Sequence, residues 1–347
     1  MEKWQEIISK SITDSNALSK IFKIDKKKID KVIGKYPMKI NLYYLGLIKK
    51  RNDPIWRQCV PDEQEIRLGI GKKDPLLEEK YSPIKGLIHR YRNRVLLLTS
   101  NVCAGNCRFC TRKRKVGIEY AALQERDRIR AFRYVKKHRG IRDVIISGGD
   151  PLLLSDEKIE YYLENLRRIK HVQIIRIDSR TLCTLPQRIT PNLCWIFKKY
   201  GPIYFNTHFN HVQEITKESR RAASLLADSG VVIGNQAVLL RGINDDVDAL
   251  KQLFEGLLSM RIRPYYLYIP DAVQGTYHFR VSIAKALKFM RGLIGYTSGL
   301  AIPHLIVDLK HGGGKTPVLP KYIVRHEGRR YVFRNFEGKK FYYADIY

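Results

Sequence analysis

The sequence has no long apolar stretch and few cysteines, and each absence excludes a class of protein. No apolar run reaches the roughly 18 residues that a membrane-spanning helix needs, so we expect no membrane segment. The first residues, MEKWQEIISK, carry an early acidic side chain and no apolar stretch of the kind found in secretory signals. Six cysteines in 347 residues do not suggest a disulfide framework. We therefore expect a cytoplasmic protein with reduced cysteines.

Acidic residues are also scarce relative to basic ones. The chain has 64 Lys and Arg against 34 Asp and Glu, which gives a formal net charge of +30. Such a balance is typical of nucleic-acid-binding proteins, of proteins that handle acidic small molecules, and of basic proteomes. The cations are spread along the chain, with local clusters near residues 23–31 and 325–330. Because no zinc-finger, RNP-type or helix-turn-helix signature is present, nucleic acid is not the partner we expect.

Strand-like and helical segments alternate regularly after residue 93. The strand-like segments are 95–99, 143–147, 172–177, 202–207, 231–238 and 263–269, with a further one at 304–307. The helical segments between them are 121–138, 156–168, 191–199, 214–228, 246–259 and 281–294. Six such repeats predict parallel strands with helical crossovers, as found in a doubly wound sheet or an incomplete barrel. Chemically reactive residues follow several different strands, which favours the mouth of a barrel.

We therefore predict an α/β fold built on a partial (β/α)6 barrel at residues 93–310. Residues 1–92 form the predicted N-terminal cap, with helices near 4–10, 16–22, 27–33 and 42–49. Residues 51–92, including DPIWRQCVPD, are predicted to be extended segments and turns because prolines interrupt them. Residues 311–347 form a glycine-rich lysine loop and a small β appendage, with a hairpin turn at Glu337 and Gly338.

A CxxxCxxC cluster follows the first apolar strand and consists of Cys103, Cys107 and Cys110. Three thiolates on one loop can hold three irons of a [4Fe-4S] cluster and leave the fourth iron open. An open coordination site distinguishes a catalytic metal centre from a structural one. A structural zinc site would need a fourth Cys or His and paired CxxC spacing. The spacing resembles that of the radical S-adenosylmethionine (SAM) enzymes.

Two glycine-rich motifs accompany the cysteines. SGGDPL at residues 147–152 follows the second strand, where glycines allow close approach of the backbone to a ligand, although a plain tight turn has the same composition. GGGKTP places Lys315 after three glycines. Such a lysine can bind phosphate, can lie on the surface, or can form an imine with pyridoxal phosphate (PLP) if its loop moves.

Together, and in this order, the motifs resemble the lysine 2,3-aminomutase family. Segments such as KYSPIKGLIHRY, NTHFNH, RPYYLY and GTYHFR extend the resemblance over roughly residues 50–335. The chain is also similar in length to the shorter relatives that supply β-lysine for elongation factor P. The resemblance implies three cofactors, namely a [4Fe-4S] cluster, SAM and PLP.

The resemblance also implies a role for each matching residue. Those residues are Cys103, Cys107 and Cys110 for the cluster; Ser147, Gly148, Gly149, Asp150, His208 and Gln236 for SAM; Lys315, Arg90, Tyr91 and Arg94 for PLP; and Arg112, Asp271 and Asp308 for the substrate. Arg112 would bind the substrate carboxylate. The two aspartates would bind an ε-ammonium, because a cation removed from water needs charge-assisted partners.

The activity implied is a SAM- and PLP-dependent radical 1,2-amino migration that converts L-lysine to β-lysine. The implied partners are a small amino acid substrate, an electron donor of the flavodoxin or ferredoxin type and, as an open question, a second copy of the chain. Arginine or glutamate remains an alternative substrate, although a carboxylate side chain would be repelled by two aspartates.

Two alternatives come from other functional classes. A radical SAM enzyme that modifies RNA would explain the net charge but not Lys315, and a non-catalytic iron–sulfur protein would explain only the cysteines. Asp178 and Cys183 stand where the resemblance predicts smaller or apolar residues. If Asp178 faces the cavity, we expect it to affect SAM placement or the range of substrates.

Overall fold

Six short helices form a cap within residues 2–67 of the computed structural model, which also describes residues 69–117 and 123–346. They are α1 (Lys3–Ser9), α2 (Ser15–Ser19), α3 (Lys26–Ile33), α4 (Leu42–Leu45), α5 (Pro54–Cys59) and α6 (Gln64–Arg67). Their apolar side chains pack into one cluster that includes Leu18, Ile40 and Trp56. The four predicted helices of the cap are confirmed, although α2 and α4 end earlier than predicted.

The prediction of extended segments and turns at 51–92 is wrong in part, because two helices, α5 and α6, lie there, whereas the strand at its end is extended as predicted. Helix α5 begins within DPIWRQCVPD, where Asp53 is the N-cap and its carboxylate accepts a hydrogen bond from the backbone N–H of Trp56 at 2.7 Å. Pro54 occupies the first helical position, where a missing N–H costs nothing. The proline that indicated a turn therefore begins a helix.

A sheet of nine strands in sequential order is the centre of the fold. The strands are β1 (Leu87–Tyr91), β2 (Arg94–Ser100), β3 (Asp143–Gly148), β4 (Ile174–Asp178), β5 (Ile203–Thr207), β6 (Val232–Val238), β7 (Arg263–Tyr268), β8 (His304–Leu309) and β9 (Gly314–Pro317). Strands β2 to β8 are parallel, whereas β1 and β9 are antiparallel at the two edges. All the predicted strands are confirmed, including the further one at 304–307.

Helices connect the parallel strands. They are α7 (Glu125–Lys137), α8 (Asp156–Arg167), α9 (Thr181–Thr184), α10 (Pro191–Lys199), α11 (Lys217–Asp228), α12 (Val247–Leu258) and α13 (Ile283–Leu293). This alternation confirms the predicted partial (β/α)6 barrel. Residues 121 and 122, which the prediction assigned to the start of the first crossover helix, lie outside the described residues.

Side-chain alternation along the strands separates the core from the cavity. In β4, Ile175 and Ile177 are buried in the main core, which also includes side chains of the surrounding helices. The intervening Arg176 and Asp178 line a cavity on the other face of the sheet. Successive side chains of a strand point to opposite faces, so one short segment supplies both the core and the cavity.

A separate three-stranded sheet follows the barrel and consists of β10 (Ile323–Glu327), β11 (Arg330–Arg334) and β12 (Lys340–Ala344). It confirms the β appendage and the hairpin turn at Glu337 and Gly338. The main sheet extends from β1 to β9 and crosses both predicted boundaries, at 92 and 310, so the three-domain division stays a prediction. No helix among the described residues has the length and apolarity to cross a bilayer.

Replacing Asp53 by alanine should lower the free energy of unfolding by about 2 kcal/mol at pH 7, because Asp53 also accepts hydrogen bonds from Lys49 N–H and the Gln213 amide. Burial raises the pKa of Asp53, but these donors lower it below its ordinary value. The stabilisation should therefore be present above about pH 4 and be lost as the pH falls further.

Urea unfolding at pH 7 and at pH 3 measures both effects. Asp14→Ala is the matched control, because Asp14 caps α2 through one hydrogen bond at an exposed site. A loss for Asp53→Ala no larger than that for the control would contradict this account.

Candidate active site

A cavity of about 370 Å³ lies on the face of the main sheet opposite the core. Every residue that the sequence assigned to a site lines it. They are Arg90, Tyr91, Arg94, Cys103, Cys107, Cys110, Arg112, Ser147, Gly148, Gly149, Asp150, His208, Gln236, Asp271, Asp308 and Lys315. Most of them lie at the carboxyl ends of the parallel strands or in the loops that follow, which is where barrel enzymes have their active sites.

The cysteine loop follows β2 and is held by a buried carboxylate from the cap. Glu65 accepts hydrogen bonds from Arg108 at 2.8 and 2.6 Å and from the Lys113 ammonium at 2.5 Å. All three side chains are at most 5% exposed. Burial raises the pKa of Glu65, but the two cations lower it below its ordinary value. Arg108 lies between two of the cysteines, so the ion pairs determine where the thiols are.

The three thiols suit a multinuclear cluster better than a single ion. Among the described residues, no group of three His, Cys, Asp or Glu is arranged to hold one metal ion. Burial and then the neighbouring Cys107 raise the pKa of Cys110 to about 11, and burial and then Asp150 raise the pKa of Cys103 strongly. Thiolates at these positions need a positively charged partner, and the irons of an iron–sulfur cluster provide one. Because each thiolate binds a different iron, the three sulfur atoms can lie farther apart than the ligands of a single ion.

The glycines of SGGDPL bring β3 against the cysteine loop. Gly148 has a φ of +145°, and a Cβ there would lie 2.2 Å from the carbonyl oxygen of Ser100. A Cβ on Gly149 would lie 2.6 Å from the carbonyl oxygen of Val102. The two glycines of SGGDPL therefore allow the loops after β2 and β3 to pack closely, in addition to any close approach to a ligand. Neither glycine can be replaced without a shift of the backbone.

The carboxylate of Asp150 is occupied by protein donors. It accepts hydrogen bonds from the Ser179 hydroxyl at 2.7 Å, from Arg180 N–H at 2.9 Å and from Leu152 N–H at 3.0 Å. Burial raises its pKa to about 6 despite these donors. Asp150 therefore joins the ends of β3 and β4 and can offer a SAM ammonium only the remaining acceptor capacity of its oxygens.

His208 and Gln236 contribute polar groups to the same part of the cavity. Nε2 of His208 is buried and has no hydrogen-bond partner among the described residues. Burial and then Arg180 lower the pKa of His208 to about 3, so the ring is neutral. The Gln236 side-chain oxygen accepts a hydrogen bond from the Tyr268 hydroxyl at 3.2 Å. An unpaired, neutral imidazole nitrogen suits a polar ligand such as SAM.

Lys315 lies in strand β9 and not in the flexible loop that the three glycines suggested. It faces Asp308 directly across the antiparallel β8–β9 pair, and its backbone N–H donates to the Tyr91 hydroxyl at 3.1 Å. Its ammonium lies 5.5 and 5.3 Å from the ring centroids of Tyr266 and Tyr268. Protein surrounds this side chain while the open cavity keeps it in contact with solvent. Burial lowers the pKa of Lys315, which favours a nucleophilic amine.

The residues assigned to PLP phosphate and to substrate ammonium contact one another. Arg90 donates to Asp308 at 2.7 Å, and both side chains are 9% exposed. Nε atoms of Arg90 and Arg94 are buried without a partner among the described residues. Both guanidinium groups lie over the ring of Tyr91, at 5.3 and 4.4 Å. Two arginines that stack on one tyrosine and have unused N–H donors are suited to binding a phosphate.

Asp271 and Arg112 complete the predicted substrate groups. Burial and then Asp308 raise the pKa of Asp271 to about 7, because two neighbouring carboxylates resist ionising together.

Arg112 donates to Glu78 through Nε at 2.8 Å, and its Nη2 lies 2.8 Å from the same oxygen. Burial raises the pKa of Glu78, but Arg112 and then Lys115 lower it to about 2. Glu78 thus orients Arg112, a role that we did not predict.

Arg180 is a second residue that we did not predict. It follows β4 and donates to Cys107 Sγ at 2.7 Å and to Glu214 at 2.7 Å. A hydrogen bond to a thiolate ligand tunes a metal cluster. The position of Arg180 after a strand is the only signal for it in the sequence.

Asp178 does face the cavity, where it accepts a hydrogen bond from Asn206 at 2.8 Å, whereas Cys183 is buried in the core.

Comparisons with known proteins agree with this geometry. Residues 290–345 match the family model described as Lysine-2,3-aminomutase, and residues 97–253 match that of the Radical SAM superfamily. The chain is 50% identical to the L-lysine 2,3-aminomutase of Fusobacterium nucleatum over 87% of this chain and 72% of the relative. It is 46% identical to that of Methanococcus maripaludis, over 97% and 79%. It is 43% identical to a glutamate 2,3-aminomutase of Clostridioides difficile, over 97% and 81%.

Replacing Glu65 by alanine should cost about 3–5 kcal/mol of the free energy of unfolding, because it leaves Arg108 and Lys113 buried without a counter-charge. It should also lower the iron bound per chain after anaerobic reconstitution. Glu63→Ala is the control, since Glu63 pairs with Lys28 at the surface and should contribute less than about 1 kcal/mol. Equal losses for the two variants, in guanidinium unfolding and in iron content, would contradict the role of Glu65.

Proposed function

Because the chain belongs to the lysine 2,3-aminomutase family of radical SAM enzymes, we propose that it converts L-lysine to β-lysine by a SAM- and PLP-dependent 1,2-amino migration. The observation that supports this most strongly is the convergence on one cavity of three thiols, one lysine amine and two aspartates. An RNA-modifying enzyme and a non-catalytic iron–sulfur protein would leave Lys315 and both aspartates without a role.

The cavity residues have separate tasks in this proposal. Cys103, Cys107 and Cys110 hold the [4Fe-4S] cluster. The SAM set is Ser147, Gly148, Gly149, Asp150, His208 and Gln236. Lys315 holds PLP, with Arg90, Tyr91 and Arg94 on its phosphate. When bound, these cofactors supply a carbon-centred radical and a delocalising ring, which the migration of the amino group requires.

The protein's own contribution is to bind and orient the substrate. Arg112, held by Glu78, presents its remaining N–H donors to the α-carboxylate. Asp271 and Asp308 accept the ε-ammonium, and Arg90, which contacts Asp308 through Nη2, has its Nε–H left for the phosphate. The aspartates favour lysine over glutamate, although a relative of 43% identity is named glutamate 2,3-aminomutase. Holding the reacting groups in one cavity converts a slow encounter into an intramolecular step.

The partners and setting follow from the same family. The electron donor is a protein of the flavodoxin or ferredoxin type, and the enzyme is cytoplasmic. The product either remains free β-lysine or is passed to elongation factor P.

Lys315→Ala should abolish turnover and the near-ultraviolet absorbance of bound PLP, because no other lysine among the described residues lines the cavity. Reconstituted protein with PLP, SAM, dithionite and L-lysine provides the assay. The iron content should be unchanged, which separates this effect from misfolding. Lys310→Ala, five residues earlier, is the matched control. Full PLP absorbance in Lys315→Ala would overturn the assignment.

Asp308→Ala should raise the KM for lysine by roughly ten- to hundredfold, the value of a charge-assisted hydrogen bond. Asp228→Ala, at an exposed site on α11, should change nothing. Steady-state kinetics with lysine, arginine and glutamate as substrates give the comparison. A KM within twofold of the unmodified enzyme would count against lysine binding at Asp308.

The KM for lysine should fall as the pH rises from about 6 to about 8, because Asp271, whose pKa is raised to about 7, gains its charge over that interval. Asp271→Asn should remove this dependence and raise the KM at pH 8. The measurement is a pH series of initial rates. A dependence that persists in Asp271→Asn would show that another group titrates.

A further inference from the structure

A lysine segment, defined as residues 20–39, lies beside the cysteine loop and has no role in the proposed reaction. It contains eight lysines and two aspartates. Seven of these lysines are exposed to solvent, the exception being Lys39. The segment is held in place by the apolar face of α3, where Ile29 is 7% and Val32 is 0% exposed. It therefore presents a strongly positive surface on a packed support.

The end of the lysine segment covers the cysteine loop on the side away from the cavity. The backbone N–H of Asn106 donates to the Lys39 carbonyl at 2.8 Å, and its side-chain amide donates to the Pro37 carbonyl at 3.1 Å. Arg108 donates to the same Pro37 carbonyl at 2.9 Å. A Cβ on Gly105 would lie 3.3 Å from the Lys39 carbonyl oxygen, so the two chains are in close contact.

This contact places positive charge next to the iron ligands but outside the substrate site. The Lys39 ammonium is near enough to Cys103 to interact with it electrostatically. Residues 20–39, all of them described, do not line the cavity. The positive surface is thus separated from the substrate by the cysteine loop itself. A protein bound there would approach the cluster from outside the barrel.

We propose that the lysine segment is the docking surface for an acidic one-electron carrier protein that reduces the cluster. The inference rests on the proposed function, which requires such an electron. In the transfer, the anionic flavodoxin hydroquinone would give one electron to the cluster and leave as the neutral semiquinone, without release of a proton. Opposite charges on the two surfaces would steer the encounter and place the carrier beside the cysteine loop.

The composition of the segment favours an acidic protein over single-stranded nucleic acid. Surfaces that bind single strands combine cations with exposed aromatic rings on which bases stack. In the lysine segment the two aromatic rings pack against the protein and do not offer a stacking surface. Phe22 packs edge-on against Trp56 at 5.0 Å, and Tyr36 is 8% exposed. A lysine surface without rings, next to a redox centre, is suited to a complementary carboxylate surface.

The test uses a triple variant, Lys27→Gln, Lys31→Gln and Lys35→Gln, which removes three exposed charges from the segment. The matched control is Lys136→Gln, Lys137→Gln and Lys170→Gln, which removes three exposed charges at or after the carboxyl ends of α7 and α8, before strands β3 and β4 begin. Turnover is measured with reduced flavodoxin and, separately, with dithionite. Calorimetric titration with oxidised flavodoxin measures binding independently of turnover.

The expected result is about a tenfold loss of flavodoxin-supported turnover and of flavodoxin affinity at low salt in the first variant only. The dithionite-supported rate should be unchanged, because a small reductant needs no docking surface. The effect should diminish at high ionic strength, where charges are screened. The affinity of the control variant should equal that of the unmodified enzyme.

Other outcomes would overturn the inference. Equal losses in both variants would mean that only net charge matters, and equal loss with both reductants would mean that the substitutions damage the enzyme. Binding of a short duplex RNA that the first variant alone loses, without flavodoxin binding, would reassign the surface to nucleic acid. If the unmodified protein does not turn over with dithionite, the proposed function fails, and the titration alone then decides whether the carrier docks.

Discussion

The buried carboxylate of Glu65 is the interaction on which the rest of the site depends. It joins the cap to the cysteine loop by accepting from Arg108 and Lys113, and all three charges are removed from water. Such a group is costly to bury and tolerable only when every partner is present. The cap therefore supports the active site, because without α6 the cysteine loop would lose the ion pairs that hold Arg108 and Lys113.

The cavity shows the same principle on a larger scale. Acidic side chains of Glu78, Asp178, Asp271 and Asp308 line it together with the cations of Arg90, Arg112 and Lys315. Each charge lies near an opposite one, and Arg90 and Asp308 contact each other directly. A charged amino acid and a phosphate can enter by exchanging partners with these groups. The cavity thus holds side chains of both signs of charge close together.

Local patterns in the sequence predicted much of this arrangement for identifiable reasons. The cysteine spacing, the glycines before Lys315 and the strand–helix repeats each depend on residues close together in the chain. The misreadings were local as well. Pro54 was interpreted as a turn but begins α5 behind the Asp53 cap, and the glycines before Lys315 suggested a flexible loop where strand β9 forms. In both cases a hydrogen-bonding partner decided between two conformations that the same residues allow.

The sequence by itself determined the repeat architecture, the CxxxCxxC motif and the family to which the chain belongs. The tertiary structure alone decided which charges meet. Arg90 and Asp308 are 218 positions apart, and Arg180 reaches Cys107 across 73 positions. Strand register and the packing of the cap bring these groups within hydrogen-bonding distance. No periodicity or spacing encodes such contacts, because they arise from the folded path of the whole chain and not from any segment of it.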